Sequence, residues 1–263
     1  KSEINLIEII KILKLNRFLI LLFTFFCSFC AIVYSLYLPN LYMSESSVEL
    51  QPLPSTRSES SGGSINSLLM NISSPNSSVR EKFIAEKKIF SRDFFRVLHA
   101  DKDFIINLTN NSFTKIDIKD VNFEESFDLF KSRFKFNESK IPGIVKLSFI
   151  HEEKKIARDL LYSTYENFNK FMSINTLNES ENSLDFLEKS LSSTKIPEVR
   201  SVLSQLIKKE YQDITFAKQK HFFFKFIETP EIPTQRYSPQ RSIICIISFA
   251  LSLLLISFIV LFM

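Results

Sequence analysis

Residues 18–38, FLILLFTFFCSFCAIVYSLYL, contain no charged side chain, and the rest of the chain is read from them. At about 1.5 Å of rise per residue the run makes roughly 31 Å of helix, close to the hydrocarbon thickness of a bilayer. A cleaved secretory leader has a shorter apolar stretch, about 7 to 15 residues, that closes on small side chains. This run ends in Tyr37-Leu38-Pro39-Asn40 and is therefore read as a retained anchor. A second uncharged run, SIICIISFALSLLLISFIVLFM, occupies residues 242–263 and is also long enough to span. Lys1, Lys11, Lys14 and Arg17 outnumber Glu3 and Glu8 ahead of the first run, which by the positive-inside rule holds that end in the cytoplasm. The expected layout is a cytoplasmic tail (1–17), transmembrane helix 1 (18–38), an extracytoplasmic domain (39–241) and transmembrane helix 2 (242–263).

Charge and cysteine usage exclude several function classes. The net charge of +4 is spread over interleaved acids and bases, without the basic stripe of a nucleic-acid binder. Cys27, Cys30 and Cys245 all fall in the two apolar runs. The Cys27-x-x-Cys30 spacing then lacks the soluble setting and the second ligand pair of a redox or metal site, and no disulfide framework is expected in the domain.

Within the domain, Ser46-Ser47-Val48-Glu49-Leu50 alternates as a strand does and is closed by Pro52 and Pro54. Residues 55–78 turn to Ser, Asn, Gly and Pro and read as a long loop. Three-to-four spacing predicts a helix from about Val79 to His99, on Phe83, Ile84, Lys87, Phe90, Phe94 and Leu98, and another from Phe123 to Phe134. Gly143-Ile144-Val145-Lys146-Leu147-Ser148-Phe149-Ile150 is β-branched and apolar, as a strand in the middle of a sheet would be. From about 152 to 220 glycine disappears and Ile156, Leu160, Thr164, Phe168, Phe171, Leu177, Leu184, Leu187 and Leu191 mark a long helix. Residues 192–198 interrupt it, with Pro197 and Glu198 suited to a new first turn, and a second helix carries Val199, Val202, Leu203, Leu206, Tyr211 and Ile214. Two such helices form a hairpin whose apolar stripes each need a partner. Phe222 to Ile227 reads as the last strand, and Pro230, Pro233 and Pro239 make a stiff extended connector into the second span. Pairing of the first and last strands would give a sheet at the base of the domain.

Catalytic motifs are missing. The chain has only Gly62, Gly63 and Gly143, too few and wrongly placed for a phosphate-binding loop. His99, His151 and His221 are scattered, and His151-Glu152-Glu153 is followed by Lys155 where a zinc protease needs its second histidine. The 28 phenylalanines sit at core spacing and lack the polar handle of a sugar-stacking residue. No catalytic, cofactor-binding or metal-ligating residue is assigned, and no cofactor is expected.

Several pieces, in order along the chain, resemble the polysaccharide co-polymerases, the Wzz-type chain-length determinants of bacterial surface polysaccharides. They are Ile4-Asn5-Leu6-Ile7-Glu8 before the first span; Gly143 to Phe149 with Ala157 and Asn167; Leu184-Asp185-Phe186-Leu187-Glu188 through Leu191; and Glu198-Val199-Arg200 with Leu203 and Leu206-Ile207. The most specific piece is Phe224, Phe226, Pro230, Pro233 and Ser238-Pro239-Gln240-Arg241 entering a span. The resemblance implies an α+β fold: a membrane-proximal mixed sheet with helices and a long projecting helical hairpin, between two terminal transmembrane helices. It implies a homo-oligomer in the bacterial inner membrane, its main domain periplasmic, that sets the length of an undecaprenyl-linked polysaccharide made by a separate polymerase. The protein itself would be non-enzymatic, with the membrane and no nucleic acid among its partners. Pro230, Pro233, Pro239 and Arg241, beside transmembrane helix 2, are the site residues so nominated. An O-antigen role is favoured over a capsule or exopolysaccharide export scaffold, because no P-loop kinase is present. A two-span sensor and a glycan hydrolase are the remaining rivals; the first needs an internal output domain and the second a paired-carboxylate cleft.

Overall fold

The computed structural model describes residues 15–51, 77–110 and 122–262. Most of the expected tail (1–14) and most of the Ser/Asn-rich loop (55–76) lie outside these residues. The described chain divides into two compact units, one formed by its two ends and one by Met43–Thr234.

In the first unit, α1 (Arg17–Tyr37) and α8 (Arg241–Phe262) are both long and apolar enough to cross a membrane. They pack along each other, with Thr24 and Ser35 of α1 and Ser252, Ile256 and Val260 of α8 buried. Phe18, Leu22, Phe25, Ile246, Leu254 and Phe258 point outward. Small side chains let two helix backbones approach closely, and their hydroxyls bond back to their own helix: Thr24 Oγ1 donates to Ile20 O (2.9 Å) and Ser252 Oγ to Phe249 O (2.9 Å).

The second unit is an α+β domain. Among the described residues its strands are β1 (Tyr42–Leu50), β2 (Phe134–Glu138), β3 (Ile144–His151) and β4 (Phe224–Glu228), in the spatial order β2-β3-β1-β4. The pairs β1/β4 and β2/β3 are antiparallel, and Leu50 N donates to Gly143 O (2.8 Å) between β1 and β3. First and last strands therefore do pair, and β3 is an inner strand as its composition predicts. Gly143, at φ +80°, takes a left-handed position in the β2–β3 turn that a side chain would strain. In β3 the residues Val145, Leu147 and Phe149 face the core while Lys146 is exposed.

The region expected as one helix over 79–99 is two: α2 (Ser77–Ile89) and α3 (Arg92–Ala100). The break is local capping chemistry. Ser91 takes an extended backbone and its Oγ accepts from Phe94 N (3.2 Å), starting a new helix with Asp93 in its first turn. Asp101 repeats the device for α4 (Lys102–Thr109), a helix the periodicity does not announce, and Asn122 does so for α5 (Phe123–Arg133). Phe134, expected to close that last helix, instead begins β2 opposite Phe149. The first strand also starts earlier than its alternation suggests, at Tyr42, and the last starts later, after the buried Phe222 and Phe223.

The core between sheet and helices is a phenylalanine cluster. Phe94, Phe95, Phe130, Phe134, Phe149, Phe168, Phe223 and Phe224 are all essentially inaccessible, and many meet at edge or tilted angles, as Phe94 and Phe168 do at 5.1 Å. Such ring pairs add to the area they bury. Helix α6 (Lys154–Ser193) runs unbroken for 40 residues, roughly 60 Å. Its first half buries Leu160, Leu161, Tyr165, Phe168 and Met172 in that core. Its second half buries only Ser180, Leu184 and Leu187 and packs against α7 (Pro197–Ala217) to form the expected hairpin. Hydroxyls of Ser190, Ser192 and Ser193 bond back to carbonyls three or four residues earlier, which competes with the helix ladder where α6 ends.

Candidate functional site

Of the four residues nominated by sequence, Pro230, Pro233 and Pro239 sit on one irregular segment after β4 and Arg241 begins the helix that follows it. Pro230 and Pro239 are buried and Pro233 is half-buried. On the β4 side, β1 is held by its serines: Ser44 Oγ donates to Glu231 O (2.8 Å), Ser46 Oγ to Glu228 O (2.6 Å) and Ser47 Oγ to the Glu228 carboxylate (2.9 Å). The register slips between Ser47 and Val48, which face Glu228 and Phe226, so Ile227 is a bulge that bends β4 before the prolines begin. Lys154, at the start of α6, donates to Thr234 O (3.3 Å).

Nearer α8, the main chain closes an isolated antiparallel bridge between Leu41 and Ser238. Leu41 N donates to Ser238 O (2.8 Å) and Tyr237 N to Leu41 O (2.8 Å). The Ser238–Pro239 peptide is cis. Arg241 opens α8 and its guanidinium donates to Asn40 Oδ1 (3.3 Å), just beyond the end of α1. Proline supplies no N–H for a ladder, so this segment is held through its carbonyls and through the non-proline amides between the prolines. Pro239 and Arg241 thus belong to a clasp joining the ends of the two apolar helices, while Pro230 and Pro233 follow the bulged end of β4.

The hairpin is the other exposed feature. On α7 the apolar residues Val199, Val202, Leu206 and Tyr211 stay exposed, as does Phe186 on α6. The predicted apolar stripe of α7 is thus only partly covered by α6. Tyr211 Oη donates to the Glu188 carboxylate (3.2 Å), and this hydrogen bond raises the phenol's pKa.

Two polar clusters inside the domain had no clear sequence signal. Asn169, buried on α6, accepts from Phe223 N (3.0 Å) and Phe224 N (2.8 Å) through Oδ1 and donates to Phe224 O (3.1 Å) through Nδ2. Beside it Tyr165 Oη donates to the same carbonyl (2.9 Å) and lies 2.8 Å from His221 Nδ1; burial pushes the Tyr165 phenol up to about 12. The second cluster surrounds His151, whose Nε2 bonds Asn110 O (3.2 Å) while Nδ1 accepts from Glu153 N (3.0 Å). That pattern needs a neutral ring protonated at Nε2, and burial followed by the nearby Arg133 charge pulls its pKa below the ordinary value. Arg133 donates to Leu108 O (2.9 Å), and burial lowers its own pKa. These contacts tie β3 to the end of α4 and the start of α6. Each cluster anchors elements that are distant in sequence to one another. Among the described residues no group of three His, Cys, Asp or Glu side chains could hold a metal ion.

Comparison with known proteins adds a partial sequence match. Residues 2–94 match the family model described as Wzz, chain length determinant protein, a region that takes in α1, β1, α2 and the opening of α3. No curated protein sequence matches. Among solved structures, a full-length bacterial polysaccharide co-polymerase is similar over 98% of this chain and 96% of its own, at 12% identity and a TM-score of 0.41. A fragment of the polysaccharide co-polymerase WzzB from Salmonella Typhimurium is similar over 75% of this chain and 99% of its own, at 10% identity and a TM-score of 0.32. The match to the family model lies on the first apolar helix and the strand and helices that follow it, and over those residues the chain is similar to the Wzz-type chain length determinant proteins.

Proposed function

We propose that this protein regulates the length of a bacterial surface polysaccharide, of the O-antigen or a related lipopolysaccharide type, without making or breaking a bond itself. The family match over residues 2–94 carries the reading. In this proposal α1 and α8 anchor the chain in the inner membrane as a two-span protein, and residues 39–241 work in the periplasm. The protein acts as a homo-oligomeric scaffold beside a membrane polymerase that extends an undecaprenyl-linked chain. The exposed apolar residues Val199, Val202 and Leu206 on α7 support self-association, since a helix stripe of this kind gains by excluding water against a second copy. Pro230, Pro233, Pro239 and Arg241 are proposed as the segment whose stiffness the scaffold needs.

The test is the ladder of surface polysaccharide lengths on a gel, comparing cells with the gene deleted and restored. A modal cluster of lengths that vanishes on deletion and returns on restoration supports the proposal. A ladder that is unchanged while polysaccharide is still made refutes it.

A further inference from the structure

Between the middle of α6 and the turn joining α7 to β4 lies a cleft of about 280 Å³. Its walls are tied together from both sides. Ser173 Oγ, on α6, donates to Ala217 O at the end of α7 (2.6 Å), and Tyr165 Oη contacts His221 Nδ1 across the turn (2.8 Å). Behind them Asn169 holds the first residues of β4 through three hydrogen bonds. The space is therefore preformed, and a ligand entering it does not have to order its walls.

The charge around this cleft is one-sided. Lys170 enters from α6, and Lys218 and Lys220 from the turn. Among the described residues none of the three makes an ion pair within 4 Å, although six other pairs form in the domain. Among the described residues the one carboxylate lining the cleft is Glu166, which is already engaged by the Tyr162 hydroxyl. The C-terminal end of α7 offers an opposing partial charge of about half a unit, smaller than the sum of the three ammonium groups. Tyr165, with its pKa raised to about 12, remains a neutral hydroxyl and adds no negative charge.

We propose that this cleft binds an anionic sugar unit, its carboxylate or phosphate held by Lys170, Lys218 and Lys220 and its hydroxyls by polar groups of the walls. An ammonium group presents three rotatable donors and suits such an anion as a point charge. The choice of a sugar rests on the chain-length reading; the preference for an anion rests on the cleft alone.

The experiment uses the full chain in detergent micelles with ¹³C-labelled histidine, following the His221 ring signal during titration with glucuronate, glucose or inorganic phosphate. Glucuronate is expected to shift His221 saturably and glucose to leave it unmoved. The charge-reversed double variant K218E/K220E, at two exposed positions, is expected to bind glucuronate at least tenfold more weakly. K170Q, a single neutral change, should weaken it in the same direction and serves if the double variant misfolds. No saturable shift with glucuronate, an equal shift with glucose, or unaltered binding in the variants overturns the proposal. Phosphatidylglycerol vesicles separate the other source of an anion: if they displace bound glucuronate and inorganic phosphate binds as tightly as the sugar acid, the cleft is a headgroup site and the sugar assignment falls. Failure here, with a polysaccharide ladder that still depends on the protein, removes only this inference. Binding here with an unchanged ladder removes only the chain-length reading.

Discussion

Replacing Asn169 by Ala should destabilise the α+β domain far more than its single amide suggests. The side chain occupies both N–H groups that open β4 and also donates to Phe224 O, from a buried position at the inner wall of the cleft between α6 and the turn after α7. Phe224 O keeps Tyr165 as a donor, so the loss falls mainly on the two amides. A buried donor left without its acceptor costs about 1–3 kcal/mol, which puts the variant about 3 kcal/mol or more below the parent. With a urea dependence of about 2–3 kcal/mol per molar, the unfolding midpoint should drop by about 1 M or more. Pulse proteolysis of the full chain in mild detergent across a urea series reads this midpoint. Ser173→Ala is the internal standard: it removes one hydroxyl donor from a half-buried site, with an expected cost of about 1 kcal/mol. An Asn169→Ala midpoint within about 0.2 M of the parent, or a smaller loss than Ser173→Ala, would show that these hydrogen bonds do not fasten β4 to α6.

Other predictions concern different parts of the molecule. Phe168→Ala, which empties a site touching Phe94, Phe171, Phe223 and Phe224, should cost about 3–5 kcal/mol by the same proteolysis assay; a cost under about 1 kcal/mol would mean the cluster collapses to fill the gap. Because the folded protein holds His151 neutral with its pKa depressed, its contribution to stability is complete above the ordinary value of 6.5 and declines as pH falls from there toward the folded pKa. Stability measured from pH 7.5 to 5 should show that slope, and His151→Asn should flatten it; an unchanged slope assigns it to other groups. Replacing the exposed Val202 and Leu206 together by Asp should abolish chemically cross-linked oligomers while leaving the urea midpoint unchanged, and oligomers that persist would clear α7 of a role in assembly. Changing Pro233 and Pro239 to Ala should broaden or shift the length ladder, and an unchanged ladder at normal protein levels would exclude the proline segment from length control.

Much of the fold was legible in the chain because it is written in local patterns. Two uncharged runs become α1 and α8 within one residue of their expected limits, and the Ile144–Ile150 run becomes an inner strand because apolar side chains on both faces need cover on both faces. The hairpin follows from helical spacing interrupted at Ser192–Ser193 and restarted at Pro197. Where competing signals overlap, the pattern misleads. Phe83 to Leu98 keeps helical spacing through a break that one serine cap imposes, and Phe134 belongs by spacing to a helix but by pairing to β2.

The nominated segment was legible only as composition. Three prolines announce an extended connector, but the Leu41–Ser238 bridge, the bond from Arg241 to Asn40 and the bulge at Ile227 each join residues from opposite ends of the chain or depend on strand register. The lysine-lined cleft was less visible still. Lys170 is separated from Lys218 and Lys220 by nearly the whole hairpin, and only the return of α7 against α6 makes them neighbours.

By itself the sequence determined the two apolar helices, the helical hairpin, the central strand and the absence of a recognisable catalytic motif, because hydropathy and period act between near neighbours along the chain. Only the tertiary structure decided that the first strand pairs with the last, that Asn169 and Tyr165 lock β4 to α6 across more than fifty residues, and that His151 is buried neutral. Those features depend on which distant polar groups are left to satisfy one another once the phenylalanine core has excluded water, and no local pattern encodes that choice.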